Sequence, residues 1–360
     1  MSAIDWSAFR NRLLAWYEPD RRPMPWKAVG DPYRVWLSEI ILQQTRVAQG
    51  LPYYERFLAT YPTVSDLARA EDDAVMKLWE GLGYYSRARN LLRAARLVTD
   101  AFGGQFPDTF AGLRQLPGVG PYTAAAIASF AFGRQVAVLD GNVYRILSRY
   151  AADPTPTDAG RGRKHFQQLV DTALGTAPAA EFNQAIMDFG ALVCTPRNPD
   201  CANCPLAASC RARAAQTVYD FPVKKAAAAR RTRYFHYLDV TDARGYRYLT
   251  QRGANDIWQS LYEFPLVETE RADVTFDELQ TAPGWPDWLN PGLTVSGAGA
   301  RFKQQLSHQI IIAQFHRLDL TDVPAVSAEV SAVPPGQLGE YALPRVINRY
   351  LEDRTLRLPF

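Results

Sequence analysis

Residues 116–127 read LPGVGPYTAAAI. Two glycines, two positions apart, stand in front of an alanine-rich run. Glycine costs backbone entropy, so the pair marks a place where a side chain would be in the way. Upstream, TFAGLRQL (109–116) reads as a helix. Downstream, PYTAAAIASFAF (121–132) reads as another, with Pro121 in its first turn, where a missing N–H does no harm. A helix, a glycine turn and a helix leave several backbone N–H groups pointing outward at a helix start. That is an anion site, and the glycines (Gly118 and Gly120, with Val119 between them) let a phosphate come close to the backbone. A tight helix–helix turn without a ligand is the alternative, and this element alone leaves the two nearly even.

Outward from this turn, residues 1–215 read as mostly helical. Segments such as DLARAEDDAVMKLWEGL (66–82) and SRARNLLRAARLVTDAF (86–102) carry apolar residues three and four apart. From about 216 the texture changes to QTVYDFPVKKAAAARRT, a polar and basic linker whose AAAA at 226–229 is the only biased tract. Beyond it, YFHYLDV, YRYLTQR, SLYEFPLV and QIIIAQFHRLDL are rich in β-branched and aromatic residues and read as strands. The expected organisation is an all-α domain over 1–217, a basic linker over 218–233 and an α+β domain over 234–360.

Length, 360 residues, agrees with two domains, and 47% hydrophobic with 21% charged residues is an ordinary globular composition. Apolar runs are too short to span a bilayer, and the N-terminus shows no cleavage signature, so a cytosolic or nucleoid-associated protein is expected. The net charge of +3 is unevenly spread: +4 over 1–217, +4 over 218–233 and −5 over 234–360. A basic front and an acidic back suggest that the front meets a polyanion.

All four cysteines, Cys194, Cys201, Cys204 and Cys210, fall within 17 residues as C-x6-C-x2-C-x5-C. So tight a group, with none elsewhere, fits a metal site better than disulfides. Zinc more usually takes two short Cys pairs. A single tight pair with wider flanks favours a [4Fe–4S] cluster, with a zinc knuckle as the alternative. Arg197, Arg211 and Arg213 in or beside these loops suit phosphate contact.

Two carboxylates stand out. In VAVLDGNVYRI (136–146) an apolar run delivers Asp140 to a glycine, then Asn142 and a new helical pattern. Asp140 there is a helix N-cap, and the helix dipole should keep it ionised. In PYRVWLSEIILQQTRV (32–47), Glu39 shares a helix face with Val35, Trp36, Leu42 and Gln43. By periodicity it belongs on the rim of an amphipathic helix; if buried, desolvation would keep it protonated near neutrality. Gln43, Gln44 and Thr45 follow as a polar cluster able to bond base edges.

Taken together, PWKAVGDPYRVWLSEIILQQTRV, GLGYYSRARNL, LPGVGPYTAAAI, VLDGNVYRI, FNQAIMDFGALVC and the cysteine pattern resemble the adenine DNA glycosylases of the MutY type, within the helix-hairpin-helix superfamily. The matching stretches cover most of residues 20–215 in the family's order, and their joint occurrence is specific. DIWQSLYEFP and LSHQII resemble the family's MutT-like recognition domain. The resemblance implies the removal of adenine mispaired with 8-oxoguanine or guanine in duplex DNA, after the base is flipped from the stack. It makes Glu39 the general acid that protonates adenine N7 and Asp140 the carboxylate that stabilises the sugar oxocarbenium ion. Tyr122 and Asn142 match residues beside that cation. Arg22, Trp26, Lys27 and Gln184 match the adenine pocket. Gln44 and Tyr84 match residues that wedge into the duplex, and Thr45 a neighbour of that wedge. One [4Fe–4S] cluster and a monovalent cation at the hairpin are implied as cofactors, and a monomer acting on double-stranded DNA as the working state.

A strand-cutting lyase needs a nucleophilic amine. No lysine occurs between Lys77 and Lys164, and Tyr122 stands where endonuclease III-like relatives carry Lys, so a monofunctional glycosylase is expected. The lesion-reading loop departs from the family's Phe-Ser-His: here it is Leu306-Ser307-His308. Leucine keeps an apolar contact but cannot stack. The glutamate-rich metal box of nucleotide pyrophosphohydrolases is missing from the C-terminal domain, so no such activity is expected there.

Overall fold

Helix boundaries follow the local chemistry of the chain. In the computed structural model, which describes residues 3–27, 30–225, 229–289, 293–297 and 300–357, Asp31 caps the helix Pro32–Leu42 by accepting from the Tyr33 and Arg34 N–H groups, with proline at the first position. Asp140 caps Gly141–Ala151 through Val143 N–H, at 2.8 Å. The helix Pro121–Phe132 starts behind Gly120 and stops at Gly133, which takes φ +61°. The segment 66–82, read as one helix, is two: Val64–Ala68, held by a Thr63/Asp66 capping box, and Asp72–Leu78. TFAGLRQL makes only the single turn Phe110–Leu113.

The chain forms two compact units. The first comprises residues 1–69 and 90–226, the second 70–89 and 227–360. The short helix Asp72–Leu78 and the turn after it go with the second unit. Residues 226–228 of the expected linker lie outside the described residues.

The first unit is helical. Its core gathers Phe9, Leu13, Ile146, Phe166, Phe182 and Phe189, all essentially inaccessible to solvent. Each such phenylalanine contributes about 1.5–3 kcal/mol by burial. The core touches the partly buried Tyr122, Cys194, Cys204 and Cys210. Asn183, fully buried on Ala179–Leu192, accepts from Val138 N–H at 3.0 Å and donates to Val136 O at 2.8 Å. That clamp holds the extended VAVLD run in place and so fixes where Asp140 begins its helix.

The second unit is built on one sheet. Its described strands are β1 (Arg231–Thr241), β2 (Arg247–Gln251), β3 (Tyr262–Glu263), β4 (Leu266–Thr269), β5 (Leu293–Gly297), β6 (Arg301–Gln305), β7 (Gln309–Leu320) and β8 (Val330–Val333). The order β3-β2-β1-β7-β5 is extended by β4 on β1, β6 on β7 and β8 on β2. The two long strands β1 and β7 run parallel at the centre, pairing Arg231 with Gln309 through Thr241 with Asp319. Pro265 splits the expected strand SLYEFPLV into β3 and β4. Leu306, Ser307 and His308 form the turn between β6 and β7. A cavity of about 440 Å³ on this sheet is lined by Arg252, Asp256, Glu263 and Trp288, among others, and by none of the candidate site residues. Arg252 and Glu263 neutralise each other there at 2.7 Å. No helix of the described residues is long and apolar enough to cross a membrane.

Candidate active site

Glu39 sits on the last turn but one of Pro32–Leu42, a helix buried over most of its length, and is itself buried. The rim position suggested by periodicity is not where it lies. Burial pushes its carboxyl up from the ordinary 4.5 to about 7, a hydrogen bond with Tyr122 pulls it partly back, and Asp140 raises it further. Near neutral pH the side chain therefore holds on to a proton that an ordinary glutamate would have lost.

Tyr122 stands one residue into Pro121–Phe132 and couples the two carboxylates. Its phenol is raised well above its ordinary value, first by burial, then by Glu39 and Asp140, while Arg22 opposes them. Its hydroxyl also lies 3.9 Å from Met187 Sδ. Glu39, Asp140, Tyr122 and Arg22 thus share one electrostatic neighbourhood, although they lie up to 118 positions apart in the chain.

Asp140 is the N-cap the sequence indicates, but burial outweighs the cap. Its carboxyl is raised, with burial the largest cause, against the lowering effects of Val143 N–H, Asn142 and Arg145. The helix dipole favours the ionised form, and desolvation acts against it. Asn142 Nδ2 donates to Asp140 Oδ2 at 2.8 Å, and Arg145 Nη2 donates to Asn142 Oδ1 at 2.7 Å.

Arg22, Lys27 and Gln184 converge on a group the sequence reading missed. Arg22 Nη1 (3.1 Å), Lys27 Nζ (2.6 Å) and Gln184 Nε2 (3.1 Å) all reach the Asp188 carboxylate, whose side chain is 1% exposed. Asp188 follows Gln184 by one helical turn in FNQAIMDFGAL, and an acid in so apolar a stretch was its only signal. Trp26 is buried, edge-on to Tyr54 with ring centroids 5.0 Å apart.

After Leu42 the chain turns sharply. Gln44 takes φ +57° and is exposed, a conformation that costs a non-glycine residue about 1–3 kcal/mol. Gln43 Nε2 donates to Thr123 Oγ1 at 3.1 Å, tying this turn to the start of Pro121–Phe132, and Thr45 Oγ1 reaches Gln43 O at 3.4 Å. In the hairpin the two glycines differ. Gly118 has φ +77°, and a Cβ there would meet the Asn90 Cβ at 2.8 Å, whereas a Cβ on Gly120 would meet nothing within 4 Å. Val119 buries its side chain, so it can present only backbone. Gly120 brings no side-chain cap to the helix behind it. The open space of the hairpin is therefore at Gly120.

In the second unit, Tyr84 is 46% exposed at φ +48°. Ser307 and His308 are exposed, and Ser307 Oγ lies 3.2 Å from His308 Nδ1. Leu306, half-buried, donates its N–H to Gln309 O at 2.8 Å.

The four cysteine thiols are free and half-buried. Burial pushes Cys204 up to about 11, and Cys194, Cys210 and Cys201 each raise it further, so the four lie within reach of one another. Protonated thiols are poor ligands, and a cationic centre is what would discharge them. No set of three or more His, Cys, Asp or Glu side chains among the described residues is placed to hold a metal ion. Cationic and N–H donors surround the thiols: Arg149 Nη1 lies 3.5 Å from Cys194 Sγ, and Arg145 Nε donates to Cys194 O at 2.7 Å. Arg145 and Arg149 were not singled out in the sequence.

Residues 37–171 match the model of the HhH-GPD superfamily base excision DNA repair proteins, residues 194–210 the iron–sulfur binding domain of endonuclease III, and residues 236–353 the NUDIX domain. The cysteine segment is therefore an iron–sulfur binding segment. The adenine DNA glycosylase of Mus musculus is 45% identical over 58% of this chain and 42% of its own length, so the chain spans about two fifths of that relative. A solved thermostable thymine-DNA glycosylase is 30% identical, with a TM-score of 0.54 over 58% of this chain and 97% of its own. The adenine DNA glycosylase of Buchnera aphidicola subsp. Baizongia pistaciae is 34% identical over 71% of this chain and 73% of its own length. A match that takes in most of both chains places this chain in the adenine DNA glycosylase family.

Proposed function

We propose that the protein is a base-excision-repair enzyme that hydrolyses the N-glycosidic bond of adenine opposite 8-oxoguanine or guanine in duplex DNA. The observation that carries this reading is the pairing of Glu39, raised to about 7 by burial, with Asp140 through the Tyr122 they share. Two carboxylates in one site, one of them kept protonated, divide the work as in glycoside hydrolysis. Glu39 gives its proton to adenine N7. The C1′–N9 bond breaks, its electron pair leaves with the base, and Asp140 faces the cation left at C1′. Water adds to C1′ and releases a proton.

Around this centre, Asn142 orients Asp140, and Arg22, Trp26, Lys27 and Gln184 surround the extruded adenine. Gln43, Gln44, Thr45 and Tyr84 engage the opened duplex, Gly118, Val119 and Gly120 receive a phosphate, and Leu306, Ser307 and His308 read the lesion edge. The domain limits 1–217, 218–233 and 234–360 and a monomeric state belong to the same proposal. Cys194, Cys201, Cys204 and Cys210 would hold one [4Fe–4S] cluster, which would cross-link the 194–210 segment and fix its shape. A monovalent cation at the hairpin would take the main-chain carbonyl oxygens that such ions prefer. No amine replaces Tyr122 beside Asp140, so strand cleavage is not part of the reaction.

A single-turnover assay on duplexes carrying adenine opposite 8-oxoguanine, guanine or thymine tests the reading, with and without alkaline workup. Base release opposite 8-oxoguanine and guanine, with breaks only after alkali, is expected. Breaks without alkali, or no release of adenine, would overturn it.

A further inference from the structure

The loop 81–85 is clamped on both sides to the rest of the second unit. Before it, Asp73 accepts from Tyr262 OH at 2.8 Å and from Gln251 Nε2 at 3.3 Å. Lys77 Nζ donates to Tyr341 O at 3.1 Å and pairs with Glu80. Glu80 Oε1 accepts from Leu343 N–H and from Asn348 Nδ2, both at 2.9 Å. After the loop, Arg89 Nη1 donates to Gln259 O at 2.6 Å. All these residues belong to the second compact unit, although residues 70–89 fall inside the interval matched by the helix-hairpin-helix family.

Between the clamps the loop braces itself. Trp79 Nε1 donates to Gly83 O at 3.0 Å, Arg87 Nη2 to the same oxygen at 3.1 Å, and Gly81 N–H to Tyr85 OH at 3.2 Å. The Arg87 guanidinium lies 5.0 Å from the Trp79 ring centre and 5.6 Å from that of Tyr84. At its tip Tyr84 presents an exposed ring from a left-handed backbone, flanked by Gly81 at φ +88° and Gly83 at φ +76°. Strain of this kind persists only where surrounding structure over-determines it, and it concentrates at binding sites. An exposed aromatic on a rigid mount is a stacking platform for a base.

We propose that Glu80 is the positioning residue of this loop: by fastening it to Leu343 and Asn348 of the sheet unit, it makes Tyr84 part of the same rigid body as Leu306, Ser307 and His308. The C-terminal unit then contributes to mispair discrimination twice, through its own β6–β7 turn and by stiffening the aromatic that enters the duplex. Glu80 touches no substrate and acts through Tyr84. The inference rests on the mispair reading proposed above, and deepens it.

The test uses the full, cluster-loaded chain with Glu80→Ala, Asn348→Ala and, as the conservative variant, Glu80→Gln, which keeps an acceptor oxygen for Leu343. Amide hydrogen exchange of residues 80–88 and the ratio of single-turnover rates for adenine opposite 8-oxoguanine and opposite guanine are measured together. In Glu80→Ala, exchange is expected to rise about tenfold or more, the worth of one hydrogen bond to a charged group. The rate ratio should fall in step, with smaller changes in Asn348→Ala and partial recovery in Glu80→Gln. A merely structural role would lower the melting temperature and leave the ratio alone. Unchanged exchange overturns the proposal, and so does faster exchange with an unchanged ratio. Failure of the wild-type chain to release adenine instead overturns the reading under Proposed function.

Discussion

Lys27 Nζ lies 2.6 Å from Asp188 Oδ2, with the carboxylate side chain 1% exposed and the lysine 10%. Arg22 reaches the other oxygen of the same carboxylate at 3.1 Å. One buried anion therefore balances two cations at the wall of the proposed adenine pocket. Without it, their charge would stand uncompensated where a base has to accept a proton.

Asp188→Asn keeps the shape and removes the charge. Leaving buried cations unpaired costs on the order of 3 kcal/mol. A lower melting temperature is expected, together with a loss of single-turnover excision larger than any loss of duplex affinity, since the pocket is used only after the base has left the stack. Thermal unfolding and single-turnover kinetics on the same preparations check this. A melting temperature and rate equal to wild type would remove Asp188 from the account.

These contacts mark the boundary of what was readable in the chain. The helix Ser86–Phe102 and the strands β1 and β7 agree with their periodicity, because each buries one face or lies inside the sheet. Glu39 does not announce its burial, since its helix looks amphipathic until Tyr122 and Asp140 arrive from far along the chain. The partners of Asp188 lie 161 and 166 residues away, and no window of sequence contains both ends of such a bond. Residues 72–89 read as part of a helical domain, yet their polar side chains find partners on the sheet unit. Local propensity reports the elements, and long-range polar pairing decides the site.

Glu39 sets a pH dependence for both activity and stability. Its carboxyl is raised in the folded chain to about 7 from the ordinary 4.5. The protonated form is the acid, so the excision rate should be level below about pH 7 and fall about tenfold per unit well above it. The linkage runs the same way. A raised carboxyl stabilises the fold fully below pH 4.5, and that contribution is lost as pH rises through 7. Glu39→Gln should lose about 10²–10⁴ in rate, and it should gain stability relative to wild type between pH 5 and pH 8. Rate and urea-unfolding profiles across that range check both. A wild-type rate that climbs above pH 7 would exclude Glu39 as the donor.

Arg149 ties the cysteine segment to the helical unit. It donates to Thr195 O at 2.7 Å, Pro196 O at 3.1 Å and Val218 O at 2.9 Å, and it approaches Cys194 Sγ at 3.5 Å. Lysine cannot reproduce that planar fork. In Arg149→Lys the iron content per chain should fall, and the 194–210 segment should become sensitive to protease while far-UV circular dichroism stays close to wild type. Full iron loading and equal protease resistance would show that the cluster segment holds itself.

The two hairpin glycines should part company when replaced. Gly118→Ala places a methyl group 2.8 Å from the Asn90 Cβ at φ +77°, so it should destabilise the fold by about 1–3 kcal/mol. Gly120→Ala meets nothing within 4 Å, so the melting temperature should hold. What the added methyl occupies is the open space in front of the helix Pro121–Phe132, where a phosphate would have to come within hydrogen-bonding distance of the backbone. Duplex affinity of Gly120→Ala should therefore drop, with one fewer phosphate contact visible as a shallower salt dependence. Melting temperature, and duplex Kd at two salt concentrations, separate the cases. If Gly120→Ala binds as tightly as wild type with the same salt slope, the hairpin is a turn between helices, and the phosphate rests elsewhere.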